Sequence, residues 1–474
     1  MAPPLGDLPP RPSGPSPFNM SEKTRQFFGT DGIRAKANLY PLVPDFVVKL
    51  GQAAADAFLS RRGDTRTWPT VIIGKDTRQS CDMLESAIAA GLTSRGIDVQ
   101  LAGVIPTPAV AMMTRESGAV FGIVISASHN PFEDNGIKFF GPDGYKLDDA
   151  LEQEIEDRIL SQAIPAESAA VGRISVLADA VDRYITFVCA SAGHDKNLLA
   201  GIVVALDAAN GASYRTSEAI LHALGAKVLP LHHHPSGMNI NLDCGCTHPE
   251  VIESLVNETR AHVGVSHDGD ADRVLLCDET GSVLDGDELM AIAAISMIQS
   301  GTLRENTLVA TVMSNAGLDE AVQAAGGKVV RAGVGDRYVI EAMRRGGFNL
   351  GGEQSGHFIF HDFNTTGDGI MAAVQLLSMM KASGKPLSEL RRVMTKFPQA
   401  QRNIRVSRKP AKEDLAASAR LVEVEKTLGS AGRVLLRYSG TEPLLRLLIE
   451  GRDADYINRE ADIIAEEIRA EIGA

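Results

Sequence analysis

The sequence has no run of about 18 apolar residues, so it offers no membrane-spanning helix. It is also poor in cysteine. Cys81, Cys189, Cys244, Cys246 and Cys277 are scattered and odd in number, which excludes a disulfide framework and fits reduced thiols in the cytoplasm. There is no basic excess: the net charge is −13. That argues against nucleic acid as the main partner, because phosphate backbones select basic surfaces. An anionic ligand would need a local cationic pocket set against this field. The N-terminal stretch MAPPLGDLPPRPSGPSPFN lacks the apolar core of a signal peptide. Its proline, glycine and serine predict a disordered leader over residues 1–24, with Met20 as an alternative start. No repeat of solenoid length is present.

What the chain does have is length and an ordinary globular composition. Its 474 residues, 44% hydrophobic and 23% charged, call for several domains. Strand, polar loop and helix alternate. TVIIGKD reads as a strand entering a loop, and SCDMLESAIAAGLTSRG as a helix with Ser80 as N-cap and a closing glycine. DVQLAGVIPTPAV reads as a strand and a loop, and GAVFGIVISAS as a strand. The cycle recurs in GIVVALDAANGASY and in NTLVATVMSNAGLDEAVQAAGG. Ligand sites in open α/β sheets lie at such strand ends. The C-terminal segment instead suggests a smaller α+β unit. The expected domains are 25–183, 184–287, 288–399 and 400–474.

Six segments carry candidate chemistry. In SHDGDADRVLLC, Asp268, Asp270 and Asp272 alternate and can aim three carboxylates at one centre, which suits Mg²⁺ or Ca²⁺. An EF-hand would want glycine where Arg273 stands, although Glu279 falls at its twelfth position. In ISASHNP, Ser128 lacks the flanking glycines of a nucleophile elbow, since Ser126 and Asn130 stand there. His129 is its neighbour, and adjacent side chains diverge in extended backbone, so it makes a poor base. A turn, or a phosphate-carrying serine near a cation, remains open for Ser128. RYSGTEPLLR places Ser439, Gly440 and Thr441 between Arg437 and Arg446, a possible phosphate cradle. In GGEQSGHFIF, alternation puts Glu353, Ser355 and His357 on one side of an extended loop, suited to sugar hydroxyls. Arg34 and Lys138, in FFGTDGIR and DNGIK, are candidates for phosphoryl or proton transfer. His232 to His234 and CGCTH (Cys244 to His248) could be read as a soft-metal site of the zinc type, but they lack zinc-finger spacing, and a polar loop is the preferred reading.

Taken in order, FFGTDGIR, ISASHNPFEDNGIK, DGDADR, MSNAGL, GVGDRYV, GEQSGH with TTGDGI, and RYSGTEP resemble the α-D-phosphohexomutase family over nearly the whole chain. GTDGIR, GEQSGH and TTGDGI are most similar to its bacterial amino-sugar branch. The resemblance implies α/β architecture: four domains around a central cleft, three similar α/β domains plus a smaller C-terminal one. It implies Ser128 as a phosphoserine, with Asp268, Asp270, Asp272 and a Ser128 phosphate oxygen holding Mg²⁺. Lys138 would be the general acid/base, helped by Arg34 and His357. Glu353 and Ser355 would hold sugar hydroxyls, and Arg437, Ser439, Gly440, Thr441 and Arg446 the phosphate that stays put. The expected activity interconverts glucosamine 6-phosphate and glucosamine 1-phosphate through a bisphosphorylated intermediate. Hexose phosphate is then the partner, without nucleic acid or membrane, and a homodimer is left open as the assembly. Phosphomannomutase/phosphoglucomutase is the alternative; a non-catalytic sugar-phosphate binder and a phosphatase are more distant ones. The sequence departs from the family at Tyr438, where Lys or Pro is commoner, and in RAKAN after GTDGI.

Overall fold

The computed structural model describes residues 25–29, 31–62, 68–161, 170–439 and 443–474. The expected leader, residues 1–24, lies outside them. Four sheets build three α/β units and a smaller α+β unit. The first has seven strands, in the order Phe28–Gly29, Gly32–Lys36, Asp134–Phe140, Phe121–Ile125, Thr70–Lys75, Asp98–Val104 and Ile174–Val176. From Phe121–Ile125 to Ile174–Val176 the neighbours are parallel; the rest pair antiparallel. FGIVI is buried at every position, as expected of a central strand covered on both faces by helices.

The second sheet runs Val283–Leu284, Val274–Asp278, Val263–His267, Val203–Asp207, Lys227–Leu231, and the third Lys328–Ala332, Thr307–Thr311, Leu350–Gly352, Phe358–Phe360. The fourth is a three-stranded antiparallel sheet, Gln399–Arg405, Leu444–Gly451, Gly432–Tyr438, packed on the helix Ala454–Ile472.

One feature repeats in the first three sheets. A buried strand ends in a short polar loop and returns antiparallel: Phe121–Ile125 to Asp134–Phe140, Val263–His267 to Val274–Asp278, Leu350–Gly352 to Phe358–Phe360. ASHNP, DGDADR and EQSGH are these three loops. They are therefore hairpin connections and not strand-to-helix turns.

A single apolar cluster runs through the first three units, joining Met112, Val124 and Phe140 to Val204 and Val265 and on to Leu308 and Phe358. The C-terminal unit has its own core around Ile404, Leu447, Ile449, Ile464 and Ile468. Polar contacts tie it to the third unit: the buried Glu450 takes Arg433 and the backbone N–H of Ala316, and Arg433 also reaches the Ser314 carbonyl.

Two local expectations are corrected. Ser80 sits at the N-cap of the helix Cys81–Thr93, but its side chain makes no capping bond. Its Oγ instead accepts from Asn135 Nδ2 at 2.8 Å, which ties the helix to the returning strand. PTPAV, read as loop, opens a helix over Thr107–Ser117, with proline in the first turn, where no N–H is needed.

Arg78 is the largest fully buried side chain. Its Nε donates to Asp76 at 2.9 Å, and its other nitrogens donate to the carbonyls of Ser128 (2.9 Å), Asn130 (2.8 Å), Asp134 (3.0 Å) and Pro131. One guanidinium thus satisfies the inward carbonyls of the 126–134 loop. Arg78→Ala strands a buried carboxylate and those carbonyls. It is expected to cost about 3–5 kcal/mol in chemical denaturation, and Arg78→Lys to recover only part of that. An unchanged midpoint would contradict the clamp.

Candidate active site

The Ser128 loop is tightly bent. Ser128 has φ +54°, a left-handed conformation uncommon outside glycine. Its N–H donates to Ser126 Oγ at 2.9 Å. Its carbonyl is held by Arg78 and by Asn241 Nδ2 at 2.9 Å, and Asn241 also donates to the Asn130 carbonyl. The bend aims Ser128 Oγ at the second hairpin, where it donates to Asp268 Oδ2 at 2.6 Å. The backbone is not extended here, so the expected divergence of His129 does not occur: its Nδ1 lies 3.4 Å from Ser128 Oγ. Burial, then Arg273 and Arg34, push the imidazole down to about 4, so it is neutral at pH 7.

DGDADR brings Asp268, Asp270 and Asp272 together, with ligand atoms within 4.8 Å of one another. All three are buried. Gly269 is required by the approach of the two loops: a Cβ there would lie 2.5 Å from the Ser128 carbonyl oxygen. Asp270 Oδ2 is already engaged, accepting from Thr107 Oγ1 at 2.7 Å and Lys138 Nζ at 2.9 Å. Asp270 Oδ1 and Asp272 Oδ1 are buried without a hydrogen-bond partner among the described residues. Burial, then Asp272 and Asp270, push the Asp268 carboxyl far above its usual range. Carboxylates crowded in this way share a site as anions only around a cation. An all-oxygen donor set with two unspent buried oxygens fits a hard divalent metal.

A chain of alternating charges surrounds the triad. Lys138 Nζ contacts Asp31 at 3.0 Å, and Asp31 pairs with Lys146 and Arg34. Lys146 spans to Asp336 at 2.5 Å, and His357 lies between Asp336 (3.6 Å) and Asp272 (3.7 Å). Burial works against each charge, but its partners prevail. Asp31 is held well below the usual carboxylate range by Lys138, Lys146 and Arg34, and Lys138 well above its own by Asp270 and Asp31. Asp272 and Asp336 raise His357 toward the imidazolium. A 470 Å³ cavity opens beside this chain, lined by Asp31, Arg34, Lys146, Asp272, Arg273, Asp336, Glu353 and His357. Three units contribute to one cleft.

GEQSGH is not an extended loop. Residues 353–356 form a turn, with Gly356 at φ +89° and the Glu353 N–H bonded to the His357 carbonyl at 2.9 Å. Alternation therefore fails: Ser355 is exposed, while His357 is buried toward Asp272. Glu353 lines the cavity and accepts from the Gly335 N–H at 3.0 Å. TTGDGI backs this loop. A Cβ on Gly367 would strike the His357 ring at 2.1 Å, so that glycine sets the imidazole's position.

Arg437 and Arg446 face each other across paired strands and line a separate 110 Å³ pocket, together with Met313 of the third unit. Burial and the neighbouring Arg446 lower the Arg437 pKa, as befits two cations sharing a place for an anion. Ser439 is buried, with its carbonyl on Lys409 Nζ at 2.8 Å. Gly440 and Thr441 lie outside the described residues.

Sequence reasoning did not single out Asp31, Thr107, Lys146, Asn241, Arg273 or Asp336. Asp31, Arg273 and Asp336 sat inside the quoted GTDGIR, DGDADR and GVGDRYV. Thr107 and Asn241 gave no local signal.

Phosphoglucomutase/phosphomannomutase alpha/beta/alpha domain I matches residues 25–164, domain II 182–281, domain III 285–397, and the C-terminal domain 402–467. Curated proteins called phosphoglucosamine mutase from Pelobacter propionicus and Syntrophotalea carbinolica are 49% and 50% identical, over 95% of this chain and 99% and 98% of theirs. Among solved structures, a phosphoglucomutase/phosphomannomutase family protein from Burkholderia thailandensis superposes with TM-score 0.77 at 21% identity, covering 94% of this chain and 99% of its own. Aspergillus fumigatus N-acetylphosphoglucosamine mutase, solved with GlcNAc-6P and magnesium, gives 0.63 at 17%, covering 95% and 97%. These two show the shared fold.

Gly269→Ala tests the approach of the two loops. It is expected to separate Ser128 Oγ from Asp268 in a crystal structure of the variant and to slow turnover roughly 10²-fold. An unmoved serine with full turnover would contradict it.

Proposed function

The chain belongs to the phosphoglucomutase/phosphomannomutase family, and on that footing we propose that it interconverts glucosamine 6-phosphate and glucosamine 1-phosphate through phosphorylated Ser128 and a bisphosphorylated sugar. Relatives 47–50% identical over nearly the full chain carry the name phosphoglucosamine mutase, which supports the amino sugar. The observation that carries the chemistry is Ser128 Oγ, buried and 2.6 Å from the aspartate triad, beside a cavity lined by paired cations and carboxylates.

In the forward transfer, the phosphorus–oxygen bond to Ser128 breaks and one to a sugar hydroxyl forms. Ser128 Oγ gains a proton from Lys138 as it leaves, and the proton given up by the sugar hydroxyl restores the Lys138 ammonium, so no net proton is taken up or released. The reverse transfer uses the phosphate at the other end of the turned intermediate. Because phosphoryl transfer needs little covalent help, positioning and charge stabilisation are the protein's main contributions. Asp268, Asp270, Asp272 and a Ser128 phosphate oxygen would hold Mg²⁺, which when bound offsets the charge of the transferring group. Lys138, held as an ammonium, supplies charge and the proton for Ser128, with Arg34 beside it. His357, biased toward imidazolium, donates on the sugar side.

Glu353 and Ser355 read the sugar hydroxyls in both orientations. Arg437, Ser439, Gly440, Thr441 and Arg446 hold the phosphate that is not transferred. The separate core and polar border of the C-terminal unit suit a body that moves as the intermediate turns. Five free thiols fit a cytoplasmic enzyme. No helix among the described residues is long and apolar enough to cross a membrane.

Ser128→Ala is expected to lower coupled mutase turnover by at least about 10³-fold, as loss of a nucleophile does, while leaving glucosamine 6-phosphate binding measurable by calorimetry. Equal rates would refute the carrier role. Asp270→Ala is expected to abolish saturable Mg²⁺ activation; an unchanged metal titration would reject its assignment as a ligand. In side-by-side assays kcat/KM should be highest for glucosamine phosphates, and a higher value for mannose or glucose phosphates would redirect the substrate reading.

A further inference from the structure

The described residues contain a second cluster of metal-ligating type. Asp207, His232 and Cys244 bring a carboxylate oxygen, an imidazole nitrogen and a thiol sulfur within 4.8 Å of one another. We propose that these three residues form a site for a borderline-soft, tetrahedral divalent cation of the zinc class, which fastens both ends of the 232–244 loop.

The donor set distinguishes this site from the aspartate triad. Sulfur and nitrogen beside one carboxylate select zinc-like ions over magnesium, and three protein ligands leave the fourth position to water. The fold brings the ligands together from distant positions. Asp207 ends the strand Val203–Asp207 and is paired with Leu231 on the adjacent parallel strand. His232 follows immediately, in a left-handed conformation at φ +48°. Cys244 comes in on extended backbone, just before the 3-10 turn Gly245–Thr247.

Asp207 and Cys244 are fully buried, and the His232 side chain is 28% exposed, which gives the site one open side. Asp207 is already oriented as metal-binding carboxylates are, by bonds from outside the ligand set: Oδ1 accepts from the Ala209 N–H at 2.9 Å and Oδ2 from the Gly245 N–H at 2.8 Å. His232 Nδ1 stands 3.1 Å from Oδ1. An ion pair of Asp207 with His232 would account for two of the three residues. It would not require a buried sulfur within ligand distance of both. Burial, then Asp207 and Asp243, push the Cys244 thiol up to about 12, so without metal it is neutral and packs like a small apolar group. Metal binding would release its proton.

The neighbouring candidates separate from the cluster. Cys246 donates its thiol to the Ser266 carbonyl, and His248 pairs with Glu250. The loop fastened in this way reaches the first domain. Gly237 accepts from the Gln79 N–H at 2.9 Å, and Asn241 holds the carbonyls of Ser128 and Asn130. A cation at its two ends would stiffen one of the clamps on Ser128. The site stands apart from the mutase reading, and its failure would leave that reading untouched.

The test is a Co²⁺ titration of metal-stripped, full-length protein in excess Mg²⁺. The expected result is a thiolate-to-cobalt charge-transfer band that saturates at one equivalent and is displaced by Zn²⁺. The band should vanish in Cys244→Ser and persist in Cys246→Ser. His232→Ala changes a partly exposed ring and should fold. It should weaken Co²⁺ by at least the roughly 10- to 100-fold that losing even an outer partner costs. Zn²⁺ should raise the wild-type melting temperature, because it binds only the folded site. No band, a band that survives Cys244→Ser, or unchanged affinity in His232→Ala would overturn the proposal.

Discussion

Three carboxylates buried around a serine hydroxyl are the constraint on which the site depends. Asp268, Asp270 and Asp272 repel one another where water cannot screen them, and the molecule answers with fixed cations. Lys138 takes one oxygen of Asp270, Arg273 and His357 flank Asp272, and Lys146 and Arg34 settle Asp31, which in turn holds Lys138. These partners roughly balance the local carboxylates. A divalent cation on the two unspent oxygens would turn balance into a positive surplus. That is how a chain of net charge −13 can present an attractive cleft to an anionic sugar phosphate.

The fold delivers this arrangement by repetition. Three sheets each end a buried strand in a hairpin, and one hairpin brings the serine, one the aspartates, one the glutamate and histidine. A continuous apolar cluster joins those three units, so the loops meet on a rigid frame. The C-terminal unit, with its own core, holds Arg437 and Arg446 in a separate pocket. In the proposed mechanism, chemistry sits on the rigid part and anchoring of the far phosphate on the separable part. A bisphosphate that must turn within one cleft would need that division.

Much of this was legible because the chemistry lies in short contiguous strings. DGDADR announced three carboxylates, and ISASHNP a serine in a turn. What could not be read were partners brought in from afar. Arg78 and Asn241 lie 50 and 113 residues from the Ser128 carbonyl they share, and Thr107 lies 163 from Asp270. Alternation failed at 353–357 because Gly356 turns the chain, and adjacency failed at Ser128 because its backbone is left-handed. The soft-ligand cluster was hidden for the same reason as Asn241. Its members stand at two strand ends and just before a 3-10 turn, and spacing along the chain does not join His232 and Cys244 to Asp207.

The central claim is that one phosphoryl group cycles through Ser128, and isotope transfer followed by peptide mapping tests it most directly. Protein carrying labelled phosphate is mixed with unlabelled glucosamine 6-phosphate and sampled within one turnover. The account predicts label on the Ser128 peptide alone, passing to sugar bisphosphate as fast as the mutase turns over. Full turnover with Ser128 unmodified, or label that stays on the protein while product forms, would contradict it.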